Sequence, residues 1–283
     1  GVYAFDAVDG VLDHSYASGS PDAGFYIGQC YPCDAIVNNV ISENNGLGYS
    51  GTNSGGSLYI ISSVFKNNKG GLAPNTLDSE LLPPERETFI IGNLIENNNN
   101  IDAPATQSTN LSLGNGVVIA GGNNNVIKNN VIANHNLYGV IITATADVNY
   151  WPAHGNRVES NLIINSKRAD IASSGLSNLG NCFENNYFNT SIPPGLQTLN
   201  NCDSSFYPLS ADLSGMWSSL ARVIQTSDGN YSQGDWRTFE APANQPNMPI
   251  MDELMSLGYD KTSLPVTKIW SSVKPAVEVF SQY

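Results

Sequence analysis

A repeat of 23 to 24 residues constrains this chain more than any other feature of its sequence. Seven copies of the repeat occur before residue 190, and they keep this spacing wherever no insertion lies between them. Each copy opens with a small residue and a short apolar strand. A fixed period in this range predicts a solenoid, in which each coil buries its apolar side chains only by stacking on its neighbours. The seven openings are Gly1, Gly24, Gly48, Gly71, Gly116, Gly139 and Asp170.

A second short strand follows in every repeat, directly after a polar residue that is most often asparagine. Because no helical stretch separates the strands, the solenoid is predicted to be a β-helix. Inward-pointing amides at equivalent positions of successive coils can hydrogen-bond along the stack, and asparagine also tolerates the left-handed backbone of tight corners. The seven polar residues are His14, Asn39, Ser63, Asn93, Asn130, Asn161 and Asn186.

With these glycine and asparagine positions, residues 1–202 resemble the right-handed parallel β-helix superfamily, the pectate-lyase-like group. Within it they are similar to the Asn-rich repeat proteins related to the periplasmic copper-insertion accessory proteins of nitrous oxide reductase. The resemblance implies an all-β fold, a right-handed parallel β-helix solenoid of about seven coils. Its motif is structural and implies no particular reaction.

The composition changes abruptly near residue 203, since 33 of the 36 asparagines lie before it. Residues 203–283 are predicted to form a C-terminal segment with short α-helices over 210–225 and 249–257. The apolar stripe of the first helix predicts a cap over the last coil. The alternative is a docking arm for a protein partner, because the segment is rich in aromatic residues. These are Trp236, Phe239, Trp270 and Phe280.

The net charge of −13, with only twelve Lys and Arg, argues against nucleic-acid binding and disfavours unaided binding of polyuronates. No apolar run approaches the ~20 residues that cross a bilayer, so no transmembrane segment is predicted. Because Gly1 falls at the opening of a coil, we expect that residues are missing upstream or that a protein partner covers this uncapped N-terminal end.

Four cysteines fall into two distant pairs, Cys30 with Cys33 in the second coil and Cys182 with Cys202 in the seventh coil and its exit. Five coils of ~4.8 Å separate the pairs by ~24 Å, beyond disulfide reach. The sequence therefore predicts one disulfide within each pair and an extracytoplasmic location, whether secreted, cell-surface or periplasmic. A redox or metal motif at the first pair is the alternative.

Two insertions leave the turn between the first and second strands, 74–87 in coil four and 145–156 in coil six. With only coil five between them, we expect two walls ~10 Å apart, with the turn 121–125 as the floor of a cleft. A third insertion, 99–115, leaves the opposite turn and is expected to cover another side.

This cleft gathers side chains that suit a sugar, because aromatic faces can stack on a pyranose ring and amides and carboxylates can satisfy its hydroxyls. The candidate ligand-binding residues are Arg86, Asn124, Tyr150, Trp151 and His154. The candidate acids and bases, which would need carboxylates ~5 to 10 Å apart, are Glu85, Glu87, Asp147 and His154. The candidate ligands for calcium, the one cofactor suggested, are Asp78, Glu80 and Asp147. For each of these residues, the alternative is a structural role within its long loop.

The residue sets that mark polygalacturonases and alginate epimerases are absent, and the basic pair Lys167-Arg168 beside Asp170 is expected to be exposed charge at a corner. This favours a noncatalytic, extracytoplasmic β-helix protein that binds a glycan or a protein partner or serves as a structural subunit. The first alternative is a carbohydrate-active enzyme, a polysaccharide lyase, epimerase or hydrolase, acting between loops 74–87 and 145–156. The second is an accessory factor for a metalloenzyme or cytochrome, with Cys30 and Cys33 as free thiols.

Overall fold

Three parallel sheets wind around a single apolar core in the computed structural model, which describes residues 1–176 and 179–203. Each of the first six coils contributes one strand to each sheet, so the chain is the all-β parallel β-helix that the repeat predicted. The predicted helices over 210–225 and 249–257 and the docking role of 203–283 lie outside the described residues.

The first sheet has eight strands, and these are β1 (Val2–Phe5), β4 (Ala23–Gly28), β7 (Leu47–Thr52), β10 (Gly70–Asn75), β13 (Val117–Ala120), β16 (Tyr138–Thr143), β21 (Ala169–Ser174) and β23 (Ser191–Ile192). The second sheet has seven, β2 (Val11–Asp13), β5 (Ala35–Asn38), β8 (Gly55–Ile61), β11 (Arg86–Ile91), β14 (Val126–Lys128), β19 (Arg157–Glu159) and β22 (Cys182–Glu184). The third has six, β3 (Tyr16–Ser18), β6 (Ile41–Glu43), β9 (Val64–Lys66), β12 (Leu94–Glu96), β15 (Val131–Ala133) and β20 (Leu162–Ile164).

The remaining elements lie on loops. An antiparallel hairpin is formed by β17 (Thr145–Ala146) and β18 (Tyr150–Trp151), inside the insertion of coil six. The helices are α1 (Gln107–Asn110) and α2 (Leu196–Leu199). In the described part of the chain, neither helix has the length and apolar character that spanning a membrane would require.

The predicted register of the first sheet is confirmed at every coil. Val2 pairs with Phe25, and the same position continues through Tyr49 and Leu72. The glycine openings therefore stack above one another. They must be small because the corner side chain at the end of the same coil lies directly beside them. A Cβ at Gly24, Gly48, Gly71, Gly116 or Gly139 would approach a side-chain atom of Asn45, Asn68, Asn98, His135 or Ser166 to between 2.8 and 3.0 Å.

An asparagine ladder runs along the corner between the second and third sheets. The side-chain oxygen of Asn130 accepts from the backbone N–H of Asn93 at 2.9 Å and from its Nδ2 at 3.0 Å. Asn161 and Asn186 repeat this pattern, and Gln197 closes the ladder by accepting from Asn186 at 3.0 and 2.9 Å. All the asparagines are buried, so their amides satisfy groups that water cannot reach.

The ladder alignment predicted for the first two coils is wrong by one residue. Ile41 pairs with Val64, so Val40 lies beside Ser63 and donates to its Oγ at 3.1 Å. Asn39 is the corner residue instead, with a φ of 50°. Corner and ladder positions are adjacent and both favour asparagine, which is why the sequence pattern did not separate them.

A second ladder, at the corner between the third and first sheets, ends in a histidine. The Oδ1 of Asn68 accepts from Asn45, and that of Asn98 accepts from Asn68, at 3.0 to 3.1 Å. Asn98 Nδ2 then lies 3.3 Å from Nε2 of His135. Burial lowers the pKa of His135 to about 3, so the ring is neutral and Nε2 accepts this hydrogen bond.

Residues 190–202 close the C-terminal end of the core and extend the solenoid beyond the seven predicted coils. Strand β23 adds an eighth rung to the first sheet. Leu196 of α2 is fully buried within the core, and the disulfide from Cys182 to Cys202 fastens this turn to coil seven. A closing turn thus lies inside the range predicted to be solenoid.

Both predicted disulfides are present, and no cysteine of the chain is free. Cys30 and Cys33 are 2% and 0% exposed and belong to the core. The accessory-factor hypothesis required Cys30 and Cys33 as free thiols, and the disulfide between them contradicts this requirement. The first pair therefore acts as a structural crosslink.

Insertion 99–115 crosses the corner between the third and first sheets, as expected, and braces several coils. Thr106 N and Thr109 Oγ1 donate to the carbonyl of Pro21 at 2.9 and 3.0 Å. Asn100 N donates to the carbonyl of Asn68, and the buried Lys69 donates from Nζ to the carbonyl of Ile101. The brace therefore ties coil four to the end of coil one and to coil three.

Candidate functional site

The two long loops of coils four and six meet instead of standing apart. The Asp78 carboxylate accepts from the backbone N–H of Asn149 at 2.7 Å, from Asn149 Nδ2 at 2.6 Å and from Trp151 Nε1 at 3.2 Å. In return Asp78 N donates to Asp147 Oδ2 at 2.9 Å. The hydrogen bonds, led by the backbone donor of Asn149, lower the pKa of Asp78. The open cleft expected between the loops is therefore bridged.

The floor of the predicted cleft lies under the hairpin. A Cβ at Gly121 would meet the Cβ of Trp151 at 2.9 Å, so the hairpin packs directly on the plain turn of coil five. Asn124 is exposed at the edge of this contact, and its backbone N–H donates to the carbonyl of His154 at 2.8 Å. Asn124 and His154 thus lie together, as predicted.

His154 is held by one hydrogen bond through its backbone and one through its ring. Its N–H donates to Asn123 Oδ1 at 2.9 Å, and its Nδ1 accepts from the N–H of Leu179 at 3.1 Å. This leaves Nε2 as the ring nitrogen that can contact a ligand. The contact with Leu179 comes from coil seven, and nothing in the sequence pattern indicated it.

Tyr150 presents its ring to solvent with its hydroxyl fixed. The Oη donates to the carbonyl of Leu176 at 2.6 Å, and the residue is 40% exposed. Val148, Leu176 and Leu179 are further exposed apolar side chains of these loops. We call Tyr150, Trp151, Asn124, Asn149 and His154 the hairpin surface.

The charged residues of the other loop turn towards coil two. Glu87 Oε2 accepts from Tyr31 Oη at 3.0 Å, and the Arg86 guanidinium lies 3.6 Å from the centre of the Tyr31 ring. Glu80 accepts from Tyr26 Oη at 2.6 and 2.7 Å. Sequence reasoning placed Arg86, Glu87 and Glu80 on the wall facing the hairpin, and their partners lie in the second coil instead.

Glu85 lies inside the solenoid and not on the cleft wall where it was expected. It is fully buried, with Oε1 accepting from Thr88 Oγ1 and Oε2 accepting from Asn125 Nδ2, both at 2.8 Å. Burial raises its pKa to about 8, against the opposing effect of these hydrogen bonds. The candidate acid or base is therefore a protonated core residue near neutral pH.

The buried carboxyl of Glu85 is expected to make stability depend on pH. Between its ordinary pKa of 4.5 and the folded value of about 8, only the folded chain holds this proton. The free energy of unfolding therefore falls as pH rises through that range, by an amount on the order of a few kcal/mol. Replacing Glu85 by Gln should remove this decline and stabilise the protein above pH 8.

Urea denaturation of the wild type and of Glu85→Gln at pH 5, 7 and 9 measures this effect. The matched change Glu87→Gln, two residues away and partly exposed, should leave the decline in place. Parallel pH profiles for wild type and Glu85→Gln would contradict the assignment of a buried proton to Glu85.

The three candidate calcium ligands do not converge on one point. Asp78 and Asp147 belong to the bridge between the loops, whereas Glu80 contacts Tyr26. Across residues 1–176 and 179–203, one group of three potential ligands is found, Glu159, Glu184 and Cys202. It does not suit a metal either, because Cys202 is disulfide-bonded and Glu159 is paired with Lys128 and Arg157.

Asp170 is buried and not the exposed corner charge that was expected. Oδ1 accepts from Ser166 N at 3.0 Å, and Oδ2 accepts from the N–H groups of Asn189 and Thr190 at 2.8 and 3.1 Å and from Thr190 Oγ1 at 3.3 Å. The carboxylate thus joins the start of coil seven to residues 189–190 at its end. Asp170 is a structural residue.

Comparison with known proteins leaves the chemistry open. Neither a protein-family model nor a curated protein matches the chain. A solved structure similar to it is the A-module of the mannuronan C-5 epimerase AlgE4 from Azotobacter vinelandii, at 15% identity and a TM-score of 0.34. The likeness covers 62% of this chain and 53% of that one, so the chain matches about half the length of its neighbour. A likeness of this extent assigns no activity to the chain.

Proposed function

We propose that this chain is a noncatalytic, extracytoplasmic β-helix protein that binds a neutral glycan at the hairpin surface. The observation that carries the proposal is the division of roles among the loop residues. The carboxylates proposed for catalysis or calcium are dispersed, because Glu85 is buried, Glu80 and Glu87 face tyrosines of coil two, and Asp78 and Asp147 join the two loops. The side chain left open on a rigid support is the aromatic ring of Tyr150.

The carboxylates support binding rather than turnover. Glycoside cleavage needs one carboxyl group to donate a proton and a second to act as base or nucleophile at the same bond. Asp147 accepts from the other loop, Glu87 and Glu80 accept from tyrosines of coil two, and Glu85 lies in the core. Of these four residues, Asp147 alone belongs to the hairpin insertion, so they do not form an acid and base pair at the hairpin surface.

The hairpin surface suits a neutral sugar. The Tyr150 ring offers an apolar face, and the amides of Asn124 and Asn149 and the imidazole of His154 offer donors and acceptors for hydroxyl groups. The net charge of −13 disfavours an acidic polysaccharide. Two disulfides favour an oxidising compartment, which supports an extracytoplasmic location.

Isothermal titration with neutral gluco-, xylo-, manno- and galacto-oligosaccharides tests the proposal. Tyr150→Ala should weaken binding of the preferred sugar at least ~10-fold, because it removes the stacking face. Tyr187→Ala removes another exposed ring, on the third-sheet side, and should leave the affinity unchanged.

Product analysis of the same mixtures decides between binding and catalysis. The proposal expects intact oligosaccharides after prolonged incubation with the wild type. Turnover that Asp147→Asn or His154→Ala abolishes, with binding retained, would contradict a noncatalytic role and favour the carbohydrate-active enzyme.

A further inference from the structure

Three aromatic rings form a cluster on the outer face of the first sheet, at coils one and two. In β1, Val2 and Ala4 pack against the core, so the alternating residues Tyr3 and Phe5 point outward. Tyr3 pairs in register with Tyr26 of β4. The Tyr3 and Tyr26 ring centres lie 4.9 Å apart with 21° between the planes, and those of Phe5 and Tyr26 lie 6.5 Å apart. We call these three residues the aromatic cluster.

The base of the aromatic cluster is buried, and its outer side is exposed to solvent. Tyr26 is 4% exposed, whereas Tyr3 and Phe5 are 49% and 53% exposed. Gly28 lies under the Tyr26 ring, and a Cβ at that position would approach Tyr26 Cε1 to 2.6 Å. Glycine is therefore needed for the ring to lie against the sheet. Rigid rings of this kind offer contact area at a low cost in side-chain entropy.

Carboxylates border the rings and supply hydrogen-bond acceptors. Tyr3 Oη donates to Asp22 Oδ2 at 2.6 Å, and Tyr26 Oη donates to both oxygens of Glu80 at 2.6 and 2.7 Å. These bonds use the phenol protons and leave further carboxylate lone pairs available. Within the described ranges, no ion pair involves Asp22 or Glu80. The surface therefore combines apolar ring faces with acceptors and lacks a paired cation.

We propose that the aromatic cluster, together with Asp22 and Glu80, is a second saccharide-binding surface that takes a neutral pyranose unit. The C–H face of the sugar stacks on Tyr3 and Phe5, and its hydroxyls donate to the two carboxylates. A uronate or sulfated sugar would meet these carboxylates in a protein of net charge −13. The proposal takes its ligand class from the proposed function, but it rests on residues outside the hairpin surface.

Titration in the Tyr150→Ala background separates the two surfaces. The titrations use the same panel of neutral oligosaccharides. Tyr150→Ala alone is expected to retain weaker binding at the aromatic cluster. Adding Tyr3→Ala and Phe5→Ala should reduce this remaining affinity at least ~10-fold. Tyr3→Phe keeps the ring and loses only the hydroxyl's bonds to Asp22 and to the N–H of Ala23, so it should retain the parent affinity within ~3-fold.

A second measurement does not depend on the folding of a variant. In the wild type, the preferred saccharide should slow the chemical nitration of Tyr3 relative to that of Tyr187, whose ring is 67% exposed. Mass spectrometry of the nitrated peptides gives both rates in one sample. Equal protection of the two tyrosines would overturn the proposal.

Two further results would overturn it. The first is a triple variant that binds like its Tyr150→Ala parent. The second is light scattering that shows a dimer of this chain which Tyr3→Ala with Phe5→Ala dissociates, since a second copy would then cover the rings. The proposed function fails on a different result, an unchanged affinity and stoichiometry in Tyr150→Ala alone.

Discussion

Replacing Asp170 with alanine is expected to lower the free energy of unfolding by roughly 4 kcal/mol. The buried carboxylate accepts four hydrogen bonds, three from backbone N–H groups of Ser166, Asn189 and Thr190 and one from the Thr190 hydroxyl. Alanine leaves these donors without acceptors where water has little access. Asp170→Asn keeps one acceptor oxygen and should lose about half as much.

Urea denaturation followed by circular dichroism measures this loss, with Asp203→Ala as the control. Asp203 is exposed, and among residues 1–176 and 179–203 no group donates a hydrogen bond to its carboxylate. The control should unfold like the wild type. If Asp170→Ala and Asp203→Ala unfolded at the same urea concentration, Asp170 would not be the residue that anchors coil seven.

Asn130→Asp is expected to be the second severe change, because it converts the centre of the ladder from an amide to an acid. The fully buried Asn130 donates from Nδ2 to the carbonyl of Ile90 and to Asn161 Oδ1, both at 2.9 Å. A carboxylate would place oxygen against both acceptors. We expect a loss of roughly 3 to 5 kcal/mol at neutral pH.

The loss from Asn130→Asp should depend on pH in a defined direction. Burial favours the protonated acid, which can still donate one hydrogen bond. The variant should therefore be closest to the wild type near pH 4 and become progressively less stable as pH rises. Thermal unfolding across pH 4 to 8 tests this, with the exposed Asn165→Asp as the control. An equal loss at pH 4 and pH 8 would contradict a ladder held by amide donors.

Much of the fold followed from the repeat. The glycine openings predicted the register of the first sheet, because only a residue without Cβ fits beside the corner side chains. The coil spacing predicted which cysteines pair, because stacked coils hold Cys30 and Cys182 too far apart to bond. The ladder from Ser63 to Asn186 was predicted, whereas its alignment at His14 and Asn39 was wrong by one residue.

The candidate site was predicted only as a pair of loops. The pairing of Asn124 with His154 followed from their positions in adjacent coils. The orientations of Glu80, Arg86 and Glu87 did not, since each is set by a tyrosine of coil two that lies some fifty residues earlier in the sequence.

The sequence by itself determined the coil, its register and its crosslinks, because these depend on a pattern that recurs at a fixed spacing and on side-chain size. Only the tertiary structure decided that Asp78 joins the two loops, that Glu85 is buried and that Asp170 connects the start of coil seven to its end. Loop residues have no repeating environment. Their burial and direction depend on single partners, such as Asn149 for Asp78, that no period relates to them.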